Sequence, residues 1–547
     1  MLFGMAGSLP VRLRSPASGL AWAGRALWGL GAALLVAAGC SEVTAIEWAG
    51  TSSPHGGGST TTTSTTGGSA GTSGHGGGLG LAGGAGGMGA SGDGGIGPAG
   101  GGGATGGSGA TGGSGATGGT GGSGATGGDG GNGGAPLCDD GVQDGAETDV
   151  DCGGAECPTC ADCLSCAVGA DCMSGACDPA SHLCTARWHD VFLGYDDSCG
   201  RKSDGWLWCW GDNGEGQVGT GALSPHEYSP VQVTALGASV AQASIGFRFS
   251  CARKTNGSLW CWGFNAAGQL GRGGLSWHEP VPGQVMALGT SVAEISLGGA
   301  HACARKTDGS LWCWGDNGDG QLGQGTTAQL ESSPVQVAAL GTSVAGIALG
   351  QLHTCARKTD GSLWCWGGND HGQLGDGTTV RKSSPVQVTA LGASVARISL
   401  GASHSCGRKT DGSLWCWGDN AVGQLGDGTG AEQHSPVPVT PLGTFVAEVA
   451  AGFDHTCARK TDGSLWCWGD NLYGALGTDA AGAALSPGQV TAFGTAVAAT
   501  SLGAHDTCAR KTDGSLWCWG YNEYGELGDG TGHDQHLPVN VPAPACP

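Results

Sequence analysis

Residues 355–367 read Cys-Ala-Arg-Lys-Thr-Asp-Gly-Ser-Leu-Trp-Cys-Trp-Gly, and close copies of this stretch recur from residue 199 onwards. The first cysteine of the stretch falls at positions 199, 251, 303, 355, 406, 457 and 508. The intervals are 52, 52, 52, 51, 51 and 51 residues, a regularity that is typical of a repeat architecture. Residues 187–547 are therefore predicted to contain one structural unit copied seven times.

Each unit contains four short segments with strand character, separated by turn signals. Around Cys355 we assign them to Pro334–Val337, Val344–Leu349, His353–Lys358 and Ser362–Trp366, in that order within one sheet. No segment has a helical period over ten residues. Seven such units predict an all-β, seven-bladed β-propeller, in which neighbouring sheets stack and the ring closes.

The two ends of the repeated region suggest a way of closing the ring. The first unit begins at Trp188–Leu193, which corresponds to the second strand of the other units. The last unit is followed by Leu537–Val541, which has no partner unit of its own. The sequence therefore predicts that Leu537–Val541 completes the first blade, so that both chain ends share one sheet without an open edge.

Residues 350–375 combine Gly-x-x-His-x-Cys-Ala, Asp-Gly-x-Leu-Trp-Cys-Trp-Gly and Gly-Gln-Leu-Gly. This combination resembles the regulator of chromosome condensation (RCC1) repeat, as do the period and the copy number over residues 187–547. The resemblance implies a propeller that acts through contacts with other proteins. It also implies two narrower alternatives, which are nucleotide exchange on a small GTPase and the binding of β-lactamases.

Two cysteines lie ten residues apart in every unit. A three-residue Thr-Asp-Gly turn places Cys355 opposite Cys365, close enough for a small inward shift to join them. We predict seven disulfides within hairpins, with buried free thiols as the alternative. The pairs are Cys199–Cys209, Cys251–Cys261, Cys303–Cys313, Cys355–Cys365, Cys406–Cys416, Cys457–Cys467 and Cys508–Cys518.

Other residue types recur with the repeat. We interpret the tryptophans on either side of the second cysteine as packing between blades. The Arg-Lys pairs, such as Arg357-Lys358, would form a ring at one end, and we expect them to pair with the turn aspartates rather than with an anionic partner. Four histidines are interpreted as structural, with a metal near the axis as the alternative: His301, His353, His404 and His455.

The motifs of enzyme active sites are missing from the repeats. The repeats have no Gly-x-Ser-x-Gly elbow, no His-Glu-x-x-His and no phosphate-binding loop. We therefore expect a binding module without catalysis or a cofactor. Function would lie where units depart from the repeat, at Trp206, Phe247-Arg248-Phe249, Trp277-His278 and Tyr473.

The chain begins with features of an export signal. Arg12, Arg14 and Arg25 precede 14 apolar or small residues, which end in Ala38-Gly39-Cys40. Residues 1–39 resemble the signal peptide of bacterial lipoproteins, with an ordinary signal peptide as the alternative. The resemblance implies that Cys40 is lipidated and that the protein is anchored to the bacterial outer membrane or cell surface.

Two further segments precede the repeats. Residues 40–136 are predicted to be a disordered tether, because 41 of the 86 residues from 51 to 136 are glycine, and its span would be about 50 Å. Residues 137–185 contain nine cysteines and are predicted to be a small disulfide module, with zinc as an alternative. Cys546 is a candidate partner for the odd cysteine. The acidic run 139–151 is a candidate calcium site or a solvated turn.

Composition limits the class of partner. The formal net charge is −22, which argues against nucleic acid because binding phosphates requires a basic surface. The 25 cysteines favour an oxidising compartment. We expect a monomer whose partner is an unidentified protein or surface polymer.

We predict that Cys40 is the mature N-terminus and carries lipid. Mass spectrometry of the N-terminal peptide of the mature protein should find a modified Cys40. Recovery of an unmodified peptide that reads through Gly39-Cys40 would contradict the lipoprotein interpretation.

Overall fold

The computed structural model of the chain describes residues 187–543 apart from 328, 329 and 481, together with Ala167, Cys172, His182 and Cys184. These residues form 28 strands, arranged as seven antiparallel sheets of four. Every sheet takes four strands that are consecutive in the chain. The prediction of an all-β, seven-bladed propeller is confirmed.

The strands have similar lengths and spacing in all seven blades. Blade 1 is β1 Trp188–Leu193, β2 Asp197–Lys202, β3 Leu207–Asp212 and β4 His226–Gln232; blade 2 is β5 Val240–Ile245, β6 Phe249–Lys254, β7 Leu259–Asn265 and β8 Ser276–Gln284; blade 3 is β9 Val292–Leu297, β10 His301–Lys306, β11 Leu311–Asp316 and β12 Leu330–Gln336. Blade 4 is β13 Val344–Leu349, β14 His353–Lys358, β15 Leu363–Gly367 and β16 Lys382–Gln387; blade 5 is β17 Val395–Leu400, β18 His404–Lys409, β19 Leu414–Gly418 and β20 Gln433–Pro438. Blade 6 is β21 Val446–Ala451, β22 His455–Lys460, β23 Leu465–Gly469 and β24 Ala484–Gln489; blade 7 is β25 Val497–Leu502, β26 Asp506–Lys511, β27 Leu516–Gly520 and β28 Gln535–Val541.

The strands of each blade are called a, b, c and d in chain order. The a strands of neighbouring blades contact one another around the axis, so strand a is innermost and strand d lies at the outer edge. The a–b and c–d loops lie at one end of the propeller, which we call the AB end. The opposite end, the BC end, holds the b–c turns and the d–a connections. Six of these connections contain one 3₁₀ turn, at Thr234–Leu236, Met286–Leu288, Ala338–Leu340, Thr389–Leu391, Thr440–Leu442 and Thr491–Phe493.

The b–c turn sets the register of the hairpin that it joins. In blade 4 the Asp360 carboxylate accepts hydrogen bonds from the backbone N–H of Ser362 at 2.8 Å and from its hydroxyl at 2.6 Å. Gly361 has φ +82°, a conformation that favours glycine. This register places Cys355 directly opposite Cys365, with their Cα atoms 4.1 Å apart. All seven predicted hairpin disulfides are present in the structure.

Packing between blades uses the two faces of each hairpin. The Cys355–Cys365 pair and Leu363 lie on the face that meets blade 5, where they share a buried cluster with Trp417. The Trp417 indole N–H donates to the backbone carbonyl of Gln373 in blade 4 at 2.9 Å. A Cβ on Gly375 would lie 2.7 Å from this indole nitrogen, so the last glycine of Gly-Gln-Leu-Gly is needed where the two blades meet. The prediction that the tryptophans pack between blades is confirmed.

The ring closes by this same packing, and the predicted closure by a shared strand is wrong. Strand β28, which contains Leu537–Val541, pairs with β27 in blade 7, and blade 1 has its own d strand, β4. At the junction of blades 7 and 1, Trp210 donates to the backbone carbonyl of Glu526 at 2.7 Å and packs with the Cys508–Cys518 hairpin. The first and last blades therefore meet face to face, as the other blades do.

The predicted order of strands within a unit also needs correction. Pro334 and its neighbours belong to β12, which pairs with β11 in blade 3 and not with the strands of blade 4. The period of a repeat fixes its length but not its starting point. The period alone therefore does not show which of the four strands is the first strand of a blade. Hydrogen bonding between consecutive strands decides it, because strand d pairs with strand c immediately before it.

Several predictions concern residues that lie outside the described part of the chain. They are the lipidated Cys40, the tether at 40–136, the acidic run at 139–151 and Cys546. Within the cysteine-rich module, the structure describes one disulfide, between Cys172 and Cys184. No helix within the described residues has the length and apolar character needed to cross a membrane.

The closing junction should be as important to stability as an internal one. Trp210→Ala and Trp366→Ala each remove a fully buried indole that bonds to the preceding blade. We expect each variant to lose about 3–5 kcal/mol of unfolding free energy, because large-to-small core substitutions leave a cavity. Thermal or chemical denaturation measures this loss. A much smaller effect of Trp210→Ala than of Trp366→Ala would show that the ring closes in some other way.

The hairpin disulfides should stabilise the blades individually. The double substitution Cys355→Ser with Cys365→Ser opens a loop with a sequence separation of 10. Denaturation should show a loss of about 2–3 kcal/mol, the value expected for closing a loop of this length in the unfolded chain. Peptide mapping without reductant supplies the control, since Cys406 should stay joined to Cys416 in the variant. A crosslink between cysteines of different blades would contradict the pairing.

Candidate functional site at the AB end

The a–b loops share the pattern Gly-x-x, and the first variable position distinguishes the blades. It is aromatic in three blades, as Tyr195, Phe247 and Phe453, and small or polar in the others, at Gly299, Gln351, Ala402 and Ala504. The three aromatic blades are 1, 2 and 6, so the rings lie on one arc of the axis. The Tyr195 ring is 4.7 Å from Phe247 and 5.3 Å from Phe453 between centroids, edge to face with both.

The central channel has a cavity at this end. Its volume is about 330 Å³, and all seven a–b loops contribute to its wall. Tyr195, Phe247 and Phe453 line one side, while Gly299 and Ala402 line another. The repeat is therefore symmetric in its backbone but not in the surface that it presents at the mouth of the channel.

Further aromatic side chains extend this surface outward. The contacts run from Phe453 to His505, from His505 to Tyr473 and from Tyr473 to Tyr521, with centroid separations of 6.0, 5.3 and 4.9 Å. We call the set the aromatic arc, consisting of Phe247, Tyr195, Phe453, His505, Tyr473 and Tyr521. Trp277 in blade 2, which is 54% exposed, stacks on Phe264 at 5.9 Å and adds a separate apolar contact.

Carboxylates accompany the arc. Burial and the neighbouring charge of Asp212 raise the pKa of Asp196 to about 6, although the Arg248 guanidinium opposes the shift. Burial and the charges of Asp419 and Asp470 raise the pKa of Asp454 to about 7, with His371 opposing it. Both carboxyls lie next to aromatic residues of the arc. Acidic side chains are thus gathered around the mouth of the channel, and burial favours their protonated form.

Three more acids are buried near these loops: Asp506 and Glu526 at the junction of blades 7 and 1, and Asp197 of blade 1, which faces Ser250 of blade 2. Burial and the other acids raise the pKa of Asp197 and of Asp506 well above the usual range. Burial raises the pKa of Glu526 to about 8, and its Oε1 atom has no hydrogen-bond partner. Glu526 stands where five other units have glutamine. Asp506 and Glu526 distinguish the junction of blades 7 and 1 from the junctions that have histidine and glutamine at these two positions.

The four recurring histidines are structural, as the sequence analysis favours. His353 is fully buried, and its Nε2 atom is 2.9 Å from the Ser405 hydroxyl of the next blade. That hydroxyl donates to the backbone carbonyl of Gln373, so the imidazole is the donor to it. The same link occurs at His301, His404 and His455. Burial lowers the pKa of His353 to about 3, so the ring stays neutral. Among the described residues, the four histidines are not part of the group whose ligand atoms lie within 4.8 Å of one another.

The expected pairing of the Arg-Lys ring with the turn aspartates is mostly wrong. Lys358 lies over the ring of Trp364 at 5.4 Å, and each of the other six blades has the same Lys–Trp contact. Arg201, Arg305 and Arg459 pair with acids on strand a, namely Asp190, Glu294 and Glu448. Within the described residues, Lys511–Asp513 is the one ion pair of the expected kind, at 3.5 Å. The turn aspartates instead accept hydrogen bonds from serine.

His371, Asp419 and Glu432 offer ligand atoms within 4.8 Å of one another. The His371 Nδ1 atom is 2.7 Å from a Glu432 carboxylate oxygen, and the pair joins blades 4 and 5. Equivalent positions hold Glu215 with His278 between blades 1 and 2, and Asp319 with Arg381 between blades 3 and 4. We therefore interpret the group as one of three ion pairs that the described residues form at this repeat position between blades.

Comparisons with known proteins bear on this fold. A profile of the RCC1-like domain matches residues 274–546, and RCC1 repeat profiles match residues 204–253 and 240–269. The ultraviolet-B receptor UVR8 of Arabidopsis thaliana is 33% identical over 321 residues, covering 57% of this chain and 72% of the receptor. The chain belongs to the RCC1 repeat family.

Three further matches have lower sequence identity to this chain. The human E3 ubiquitin-protein ligase HERC2 is 28% identical over 59% of this chain, which spans 7% of the ligase. Human WBSCR16 has a TM-score of 0.57 at 23% identity, covering 62% of this chain and 95% of that structure. Yeast RCC1 (Prp20), in a structure bound to Kap60, has a TM-score of 0.56 at 21% identity. The match covers 65% of this chain and 85% of the yeast protein in that structure. At these identities the two structures show that the chain shares their fold.

Sequence reasoning found part of the arc of this RCC1 propeller. It singled out Phe247, Arg248 and Tyr473 as departures from the repeat, and the structure places all three at the AB end. It missed Tyr195 and Phe453, although both replace small or polar residues at one fixed position of the RCC1 repeat. Trp206 lies at the BC end instead, where it takes the place of the turn serine that bonds to tryptophan in other blades.

Glu526→Gln should remove a pH dependence of stability. The folded chain keeps this carboxyl protonated up to about pH 8, whereas the unfolded chain ionises it above its usual pKa of 4.5. The stability that the protonated form supplies is therefore lost as pH rises from 4.5 towards 8. We expect the variant to match the parent near pH 4.5 and to exceed it by roughly 2–4 kcal/mol at pH 8.

Chemical denaturation at the two pH values measures this difference. Gln373→Glu is the matched control, because it places the same acid at the equivalent position of an internal junction. It should introduce the pH dependence that Glu526→Gln removes. An equal effect of Glu526→Gln at both pH values would contradict the assignment.

Proposed function

We propose that this RCC1 propeller is a non-catalytic recognition module, held at a cell surface by a lipid on Cys40 and by the glycine-rich tether, and that its AB end binds a protein or surface polymer. The aromatic arc carries this proposal. Aromatic rings supply large contact areas with little loss of side-chain freedom, and they are enriched where proteins bind partners.

The construction of the propeller supports recognition. Seven disulfides and a repeated indole contact hold a rigid ring, and the loops that depart from the repeat gather on one arc of one end. A rigid scaffold that presents variable loops suits binding. Binding is favoured because the rings of Phe247, Phe453 and Tyr195 together offer an apolar contact area at the mouth of the channel.

The relatives support a binding role in general terms. One is named a receptor and another a ubiquitin ligase, and yeast RCC1 (Prp20) is described as bound to Kap60. Exchange activity on a GTPase and β-lactamase binding stay predictions from family resemblance. An exported, tethered chain favours neither exchange nor any other role that requires the cytosol.

Site-specific photocrosslinking on the full-length protein tests the proposal. A photoreactive residue is placed at Tyr195 on the AB end or at Thr359 in a b–c turn on the BC end. Intact cells of the source organism are irradiated, and crosslinked species are resolved by mass spectrometry. We expect a defined adduct at position 195 and none at 359.

Two further comparisons make this test decisive. Cys40→Ser should release the protein from the membrane fraction if the lipid anchors it. Adducts at 359 but not at 195 would reject the AB end as the binding face. Turnover of a crosslinked or captured partner by the purified protein would reject the non-catalytic role.

A further inference from the structure

The a–b loops of blades 1, 2 and 6 form a pseudosymmetric arrangement around the channel mouth. Tyr195-Asp196 lies in the middle, Phe247-Arg248 on one side and Phe453-Asp454 on the other. Both phenylalanines meet the Tyr195 ring edge to face, at 4.7 and 5.3 Å. The two sides differ in charge, because blade 2 has arginine where blade 6 has aspartate.

Blade 2 shows how this surface holds a cation. The Arg248 guanidinium lies over the Phe247 ring at 5.1 Å and within 3.7 Å of the Glu215 carboxylate. Its charge also acts on Asp196, where it partly offsets the rise in pKa that burial and Asp212 cause. Arg248 adopts φ +63°, a conformation uncommon for residues other than glycine. One guanidinium therefore already lies between an aromatic face and carboxylates at this mouth.

Blade 6 presents an aromatic ring and a carboxylate in the same positions. Phe453 lines the cavity, and Asp454 lies beside Asp419 and Asp470, two further acids. Among the described residues, His371 opposes the charge of these acids at Asp454, whereas burial lowers the pKa of His505, which lies 3.9 Å from Asp470. The electrostatic field on this side therefore favours a positive charge from outside the blade.

We propose that the channel mouth binds a lysine or arginine side chain of a partner polypeptide, seated against Phe453 and Tyr195 and paired with Asp454. This inference rests on the proposed recognition function and names the chemistry of its partner. A cation over an aromatic face, with a carboxylate beside it, gains from both interactions where water is partly excluded. Tyr195 and Phe453 line the cavity of about 330 Å³, and Asp454 follows Phe453 in the same loop at its rim.

Calorimetric titration of the full-length protein with penta-arginine and penta-citrulline peptides tests this chemistry. Citrulline has the shape of arginine without its charge. We expect the arginine peptide to bind more tightly than the citrulline peptide. Phe453→Leu removes the aromatic face but retains an apolar side chain, and Asp454→Asn removes one charge. Each variant should weaken binding of penta-arginine by about fivefold or more, the range expected for a cation–aromatic contact.

Matched variants separate this site from a general electrostatic attraction. Gln351→Ala changes the loop position of blade 4 that corresponds to Phe453, and Asp360→Asn removes one charge at the BC end. Neither should change the affinity for penta-arginine. Equal weakening by Asp360→Asn and Asp454→Asn, or equal affinity for the two peptides, would overturn the inference. So would competition by a neutral glucan oligosaccharide that binds in place of the peptide.

The failure of this inference can be told from failure of the proposed function. Photocrosslinks at position 195 combined with no preference for arginine would leave recognition at the AB end intact and reject the cationic partner. Absence of crosslinks at 195 would reject the recognition surface itself.

Discussion

One hydrogen bond, repeated around the ring, holds the propeller together. In every blade the second tryptophan of the hairpin is buried against the preceding blade and donates its indole N–H to a backbone carbonyl there, at 2.7 to 3.0 Å. The surface that receives it is formed by the disulfide and the leucine of the neighbouring hairpin, as in the cluster of Cys355, Leu363 and Trp417. Burial of an indole without a partner for its N–H would be costly. The contact is therefore stable because the apolar ring is buried and its N–H group is hydrogen-bonded at the same time.

This interaction also explains why the ring needs no shared strand. The junction of blades 7 and 1 has the same contact, from Trp210 to Glu526, as each internal junction. Residues of the repeat supply the indole hydrogen bond at every junction between blades. The a–b loops take no part in this bond and can therefore vary in sequence. They do so on one arc, where Tyr195, Phe247 and Phe453 replace small or polar residues and where acids gather. The identical contacts between blades thus allow the surface at the AB end to differ from one blade to the next.

Much of this fold could be predicted from the sequence, because a strict period of 51 or 52 residues with four strand segments has few solutions. The disulfides also followed, since the Thr-Asp-Gly turn sets Cys355 opposite Cys365. The boundaries of each blade could not be predicted, because a periodic pattern does not show whether the strand that contains Pro334 pairs with the hairpin before it or with the one after it. The contact of Lys358 did not follow either, because the sequence does not show that its ammonium group lies over the ring of Trp364.

The candidate site was less predictable for a physical reason. Tyr195 and Phe453 are 258 positions apart in the chain, and their contact depends on the order of blades around the axis. A small residue at Ala504 in the intervening blade lets the two rings meet. Only departures that are conspicuous within one unit, such as Phe247-Arg248-Phe249, could be recognised from the sequence alone.

The central claim is that recognition occurs on the aromatic arc and not on the rest of the ring. Amide hydrogen exchange of the full-length protein, with and without the partner captured at the AB end, tests it most directly. The account predicts that the partner slows exchange in residues 194–197, 246–249 and 452–455, and leaves the equivalent loops at 298–301, 350–353 and 401–404 unchanged. Protection confined to those three equivalent loops, or to the b–c turns, would contradict it.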